Sequence, residues 1–315
     1  MVLAIVLVLI VLITVLFTFY SPWWFTPLAS NWGTIDDALI ITFAITGFVF
    51  VAVTLFMALA IFKFRHVEGR KAAFEPENKK LEWWLIGVTT IGIAGMLAPG
   101  LIVWADYVKP PPNAGVFEAV GQQWSWSFRL PGKDGKLGRA AVRFITDDNI
   151  LGVDPRDANG LDDLIIDGDD LHLLLNQPVK ANLRSLDVLH DFYVPQFRAK
   201  MDLVPGMVTY FWFTPTLPGS YEILCAELCG LGHSDMRSLV VVDEPGDYQA
   251  WLSEQITFAE MIAPEDVPED MPEEVAEEAV ESEQQPEVAD EVALNVGPST
   301  ALSAELSTGE GTTND

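Results

Sequence analysis

Long apolar runs with very few charges dominate the first third of the chain. Segments 1–20, 38–62 and 82–107 each approach or exceed the roughly 20 residues that a helix needs to cross a bilayer. We therefore predict three transmembrane helices. The first run could instead be a cleaved signal segment. It lacks the basic residues with which signal peptides begin, since the first Lys or Arg is Lys63, and this favours a retained helix.

Basic residues between the second and third runs set the orientation of these helices. Segment 63–81 carries Lys63, Arg65, Arg70, Lys71, Lys79 and Lys80. Because short cytoplasmic loops are enriched in Lys and Arg, this loop is predicted to be cytoplasmic. Segment 21–37 and everything after residue 107 then lie outside. Aromatic residues next to the helix ends are predicted to sit at the membrane interface; these are Trp23, Trp24, Trp32, Trp104 and Tyr107.

The polar remainder of the chain divides into a β-rich part and a tail. Within 113–247, short runs of β-branched and aromatic residues alternate with turns rich in Gly, Pro, Asn and Asp, a pattern typical of an antiparallel β-sandwich. From residue 263 to 315 the composition becomes rich in Glu and Pro, then in Ser, Thr and Gly. We predict that this acidic tail is disordered and serves mainly solubility.

Negative charge excludes one class of partner. The net charge is −27, with only 18 Lys and Arg, whereas nucleic-acid binding needs basic surface. Segment 146–170 contains nine Asp and one Arg. A calcium loop is one interpretation, but the spacing does not match an EF-hand, and a solvated acidic loop is favoured. These acids, with Asp187, favour a basic partner.

Sulfur and imidazole groups are concentrated in the stretch CAELCGLGHSDM, residues 225–236. It contains both cysteines of the chain, Cys225 and Cys229, followed by His233 and Met236. A disulfide would leave the histidine and the methionine unexplained, and a thioether is a poor zinc ligand. Thiolate, thioether and imidazole together are a ligand set for copper, and two thiolates can bridge two copper ions. Copper is therefore the favoured interpretation.

A copper site of this kind needs a second histidine from elsewhere in the chain. His66 falls in the cytoplasmic loop and His172 in an alternating strand, where a hydrogen-bonded or exposed histidine is the simpler interpretation. His190 follows a loop and begins a strand. On its own, a single histidine there is more often packed than metal-bound.

Four motifs together resemble subunit II of the cytochrome c oxidases, in the haem–copper oxidase superfamily. They are CAELCGLGHSDM, VLHDFYVPQFRAKMDLVPG, GQQWSWSF and NKKLEWW. The resemblance covers most of the chain. It implies a membrane-anchored, all-β protein, in which transmembrane helices precede an external cupredoxin-like antiparallel β-sandwich or barrel.

The resemblance also implies a dinuclear copper A centre. Cys225 and Cys229 would bridge both copper ions, His190 and Met236 would complete one, and His233 with the backbone carbonyl of Glu227 would complete the other. The Glu227 side chain would face a magnesium ion shared with subunit I. Trp124 matches the aromatic residue that receives the electron from cytochrome c. Glu82 matches a carboxylate at the mouth of a proton channel, although an acid in the first helical turn also favours the helix on its own.

The implied function is the electron-accepting subunit of a terminal respiratory oxidase in a bacterial inner membrane, with the copper domain on the periplasmic side. Electrons would pass from cytochrome c to the haems of subunit I, which reduces oxygen to water with proton translocation; subunit III would be a further partner. Two alternatives stay open. One is the corresponding subunit of a nitric oxide reductase, and the other is a membrane-anchored copper-binding or copper-delivery protein.

Overall fold

Three long helices precede the β-rich part of the chain. The computed structural model describes residues 1–21, 26–71, 74 and 76–262. Helices α1 (Val2–Tyr20), α2 (Gly33–Lys63) and α3 (Lys79–Tyr107) are each long and apolar enough to cross a membrane. Trp23 and Trp24 of the predicted interfacial segment, part of the basic loop and the whole predicted tail 263–315 lie outside the described residues.

The described residues form ten strands, which make up two five-stranded sheets. The strands are β1 (Gly115–Gln122), β2 (Ser125–Leu130), β3 (Leu164–Asp167), β4 (Leu171–Leu174), β5 (Val179–Ser185), β6 (His190–Val194), β7 (Ala199–Leu203), β8 (Thr209–Phe213), β9 (Gly219–Cys225) and β10 (Arg237–Asp243). The first sheet has the order β3-β2-β1-β5-β8 and the second β4-β10-β9-β6-β7. The predicted β-sandwich after membrane-type helices is thus confirmed.

Two strand pairs depart from the predicted antiparallel pattern. β1 pairs with β5, and β4 with β10, in parallel, while the other pairs are antiparallel. The partners in each parallel pair are separated by long stretches of chain, as parallel neighbours require. Phenylalanine side chains fill the space between the sheets and are fully buried, namely Phe117, Phe128, Phe192, Phe197, Phe211 and Phe213.

An aromatic cluster joins the membrane helices to the β-sandwich. Trp32 packs on Tyr107 and Trp212, with ring centroids 5.1 and 5.0 Å apart, and its Nε1 donates to the Trp212 carbonyl at 2.8 Å. Tyr107 stacks on Phe211, and its hydroxyl bonds both the N–H and the carbonyl of Lys200. The base of the sandwich thus covers Trp32 and Tyr107, and their position at a membrane interface stays a prediction. Trp104, by contrast, is exposed.

The Asp-rich insert folds against the first sheet. Arg129 of β2 is buried between Glu118 of β1, at 3.0 Å, and Asp163 of the insert, at 2.8 Å. Arg139 meets Asp154 and Asp157, both at 3.3 Å. The expectation of a wholly solvated loop is wrong for Asp154 and Asp163, which are buried because guanidinium groups neutralise them. In the described ranges, the insert holds no cluster of acids close enough to bind one cation.

In the part of the chain that the structure describes, two helices follow β10 and pack on the sandwich. Helix α5 (Pro245–Glu254) places Trp251 over His172 of β4, whose Nδ1 lies 2.6 Å from the Asp243 carboxylate. Helix α6 (Phe258–Ile262) inserts Phe258 into a second apolar cluster, on the outer side of the first sheet. Its buried members are Val120, Leu151, Val153 and Phe258. Packing against the sandwich therefore continues past β10, at least to residue 262.

Candidate metal centre

Soft donor atoms converge at one end of the second sheet. Strand β9 ends at Cys225, the next loop carries Glu227 and Cys229, and a 3-10 turn over His233–Asp235 leads to Met236. The two thiol sulfurs are 3.7 Å apart. This is far beyond the roughly 2.05 Å of a disulfide, and both cysteines are free. The disulfide interpretation therefore does not describe this structure.

His190 and His233 approach the two thiols from different elements. His190 begins β6, which pairs with β9, so its Nδ1 lies 3.9 Å from Cys225 Sγ. His233 Nδ1 lies 3.6 Å from Cys229 Sγ. Met236 is fully buried, with its sulfur 4.0 Å from Cys229 Sγ. Within the described ranges, His190, Cys225 and Cys229 form the one group of three or more His, Cys, Asp or Glu side chains close enough to hold a metal ion.

Glu227 contributes to the site through its main chain. Its carbonyl oxygen accepts a hydrogen bond from Cys225 Sγ at 3.2 Å, while the side chain is half-buried. The sequence predicts this carbonyl as a ligand, and the structure places it beside a thiol. The Glu227 carboxylate also helps to raise the pKa of Lys200, although the largest contribution is the 2.6 Å bond from Lys200 to buried Asp191.

Burial favours the protonated form of the Cys229 thiol. Burial, followed by the hydrogen bond and charge of Cys225, raises the pKa of Cys229 above its usual value. Without a metal ion, this thiol is therefore protonated at neutral pH. A metal that binds here must displace that proton, so binding is expected to be coupled to proton release.

The donor set fits copper. Two thiols, two imidazoles, one thioether and one backbone carbonyl lie around one small volume, and soft sulfur ligands with imidazole favour copper. The thioether of Met236 has no obvious function in a zinc site, which normally takes four Cys or His ligands. The residues present therefore fit copper.

Trp124 lies against the cysteine loop and reaches solvent. It occupies the turn between β1 and β2 and is 40% exposed. A Cβ atom added to Gly232 would come within 2.6 Å of the indole, and one added to Gly230 within 3.1 Å. Because both positions are glycine, the indole can lie directly on the backbone between Cys229 and His233. Trp126, the second tryptophan of the motif, is buried.

The remaining predicted site residue lies far from this centre. Glu82 is exposed in the first turn of α3, and its N–H donates to the carbonyl of Asn78, the residue that caps the helix. About 25 residues of helix separate Glu82 from Tyr107, a length of roughly 38 Å at 1.5 Å per residue. The structure therefore does not bring Glu82 to the metal centre, and any function of its carboxylate belongs to the other end of the helix.

Two residues beside the candidate ligands were not predicted to belong to the site. Gln123 was not singled out from the sequence, and Asp187 was expected to attract a basic partner. Asp187 Oδ1 lies 2.8 Å from His190 Nε2, and its Oδ2 accepts from the backbone N–H of Gln123 at 2.7 Å. The Gln123 side chain donates to the Cys229 carbonyl at 2.7 Å. Burial opposes ionisation of Asp187, but the bonds from His190, Gln123 and Val188 hold its pKa below the usual value. The sequence signal for the contact between Asp187 and His190 is an Asp three residues before a candidate ligand.

Comparisons with known proteins agree with this geometry. The family model for the periplasmic domain of cytochrome c oxidase subunit II matches residues 116–243. An alternative cytochrome c oxidase subunit 2 from Bradyrhizobium diazoefficiens is 59% identical over 259 residues, covering 82% of this chain and 94% of the relative. The chain belongs to the cytochrome c oxidase subunit II family. The resemblance inferred from the four motifs is thus confirmed.

More distant members of the subunit II family align over shorter or less similar stretches. Cytochrome c oxidase subunit 2 of Cereibacter sphaeroides is 26% identical over 244 residues, covering 73% of this chain and 77% of that protein. The crystal structure of the periplasmic domain of subunit II of cytochrome oxidase from Bradyrhizobium japonicum shares 27% identity, covers 45% of this chain and 94% of that one, and gives a TM-score of 0.34. As a family member, the chain is a component of an oxidoreductase complex.

Proposed function

We propose that this subunit II chain accepts electrons from a cytochrome c at a dinuclear copper A centre and delivers them to the haems of subunit I. The observation that carries the proposal is the convergence of two free thiols, 3.7 Å apart, with two imidazoles and a buried thioether. In this proposal the thiolates of Cys225 and Cys229 would hold both copper ions. The other ligands are His190, His233, Met236 and the Glu227 carbonyl.

Two copper ions that share thiolates would supply reversible one-electron redox chemistry, with the change in charge spread over both metals. The chain holds the ligand atoms in fixed positions. Cys225 and His190 lie on paired strands, and the Met236 carbonyl accepts from the Cys225 N–H at 3.3 Å. Ligands fixed on strands in this way need little movement when the charge changes, which favours fast electron transfer.

Trp124 is the proposed receiving residue for the electron. It is partly exposed, and its ring lies on the loop that carries Cys229 and His233. A donor that docks over this indole would therefore come close to the centre without opening the fold. Leu228 and Leu231, in the loop that carries Cys229, are exposed and offer apolar surface. The acidic insert is expected to attract a basic donor over longer distances.

The remaining assignments follow from the subunit II family and the topology. We propose that all three long helices are retained and span the bacterial inner membrane, with the basic loop in the cytoplasm and the β-sandwich in the periplasm. The Glu227 carboxylate would face a magnesium ion shared with subunit I. Glu82, at the cytoplasmic end of α3, would serve proton uptake during oxygen reduction and proton translocation. Subunit III would complete the complex.

Two alternatives predict different behaviour. A nitric oxide reductase would share this electron-accepting subunit and would differ in the partner that copurifies. A copper-delivery protein would need an open site that exchanges its metal, whereas here Met236 and His190 are fully buried. The aromatic cluster that ties Trp32 and Tyr107 to the sandwich also favours a fixed subunit over a mobile carrier.

The test uses the full-length protein in detergent. After copper loading, we expect two copper atoms per chain and a low-temperature electron paramagnetic resonance spectrum of one electron shared between two copper nuclei. Cys229→Ser should abolish the shared signal, because a hydroxyl does not bridge as a thiolate does. Ser234→Ala, in the same loop but outside the ligand set, is the control. One copper with a four-line spectrum would contradict the proposal.

A further inference from the structure

Asp187 connects the metal centre to the segment that carries Trp124. One carboxylate oxygen is 2.8 Å from His190 Nε2, and the other accepts the Gln123 N–H at 2.7 Å. Gln123 immediately precedes Trp124, and its side chain reaches the Cys229 carbonyl. A single carboxylate therefore contacts a candidate ligand on β6 and the turn between β1 and β2. It also accepts the Val188 N–H, which fixes the carboxylate itself.

The orientation of the His190 ring follows from this contact. A neutral imidazole carries one N–H and one acceptor nitrogen. A carboxylate at Nε2 requires the hydrogen there, which leaves the Nδ1 lone pair directed at Cys225 Sγ, 3.9 Å away. Gly121 packs against the ring, since a Cβ atom added there would come within 3.2 Å of it. The His190 ring is thus held both by a hydrogen bond and by close packing.

We propose that Asp187 is a positioning residue, which fixes His190 for metal binding and holds the Trp124 turn in register with the metal centre. The expected effect on metal affinity rests on the proposed copper function, whereas the effect of Asp187 on the His190 ring does not require a metal. It replaces the expectation that Asp187 serves as a docking charge for the donor. Carboxylates that hold a ligand histidine also raise its basicity, and their loss typically weakens metal affinity about 10- to 100-fold.

Asp187→Asn in the full-length protein is the main test. An amide keeps the shape, but it lacks the negative charge and offers only one oxygen for the three hydrogen bonds. We expect copper affinity, measured by competition with a chelator, to fall about 10- to 100-fold. The midpoint potential of the bound copper should rise, because a less basic imidazole stabilises the oxidised state less. Asp148→Asn, an exposed aspartate in the insert, makes the same charge change and should alter neither.

A second measurement separates this proposal from the copper function. In the metal-free protein with 15N-labelled histidine, we expect wild-type His190 to carry its hydrogen on Nε2, with slow exchange, and Asp187→Asn to speed that exchange. If the wild type binds no copper, the proposed function fails. The histidine spectra still test whether Asp187 positions His190.

The proposal is overturned if Asp187→Asn matches Asp148→Asn in copper affinity, potential and histidine spectra. A change confined to the salt dependence of the reaction with the donor would show that Asp187 is a surface docking charge only. Normal affinity in the variant with an altered potential would support the positioning of His190.

Discussion

Replacing Phe258 with alanine should destabilise the β-sandwich, although Phe258 lies outside the matched family region 116–243. Its ring is fully buried in the cluster that contains Val120, Leu151 and Val153. Removing a buried Phe ring costs about 3–5 kcal/mol, through lost transfer free energy and the cavity that is left. Whole domains have about 5–15 kcal/mol of stability, so this loss would be a large share of the total.

The measurement is chemical denaturation of the detergent-solubilised protein, followed by near-ultraviolet circular dichroism of the sandwich. Ile256→Ala is the matched control, since Ile256 is 55% exposed two residues earlier and should change the free energy of unfolding by no more than about 0.5 kcal/mol. Equal effects of the two substitutions would refute the reasoning, because α6 would then contribute no core. A chain cut at residue 247 should show a still larger loss.

Two further outcomes follow from the site and from α6. Trp124→Phe should slow the reaction with reduced cytochrome c in stopped-flow experiments while the copper spectrum stays unchanged; an unchanged rate would assign electron acceptance to another residue. The Thr257 N–H donates to Glu260 at 2.7 Å and holds the pKa of this carboxyl below its usual 4.5. The stability from this bond is therefore present above that value and lost as pH falls through the lower folded pKa. Denaturation curves of Glu260→Gln and wild type should differ at neutral pH and converge in acid.

Local patterns were sufficient to predict the helices and the cluster of candidate metal ligands in residues 225–236. The apolar runs are long and continuous, and a bilayer imposes one length on them, so periodicity was not needed. Cys225, Cys229, His233 and Met236 lie within twelve residues, and short loops keep such neighbours close. His190 is 35 residues away, and the family resemblance placed it because strand pairing cannot be read from spacing.

Contacts between distant segments could not be predicted in this way. Trp32 and Tyr107 follow the pattern of interfacial aromatics, yet Trp212, more than 100 residues later, buries them. The sequence predicts a solvated acidic insert because Arg129, which pairs with the buried Asp163, lies outside the insert in sequence. The parallel pairing of β1 with β5 also depends on long-range topology, and the alternation of side chains along a strand does not reveal which strands pair.

The aromatic cluster at the base of the sandwich fixes the orientation of the β-sandwich relative to helices α2 and α3. Asp36 of α2 also pairs with Arg198 at 2.7 Å. The distance of the candidate metal centre from these helix ends is then a fixed dimension of the molecule. A water-soluble version made by cutting after α3 would lose Trp32 and Tyr107 together and expose Phe211. Such a version needs a redesigned base with polar surface, whereas one that keeps both helix ends would preserve the natural geometry.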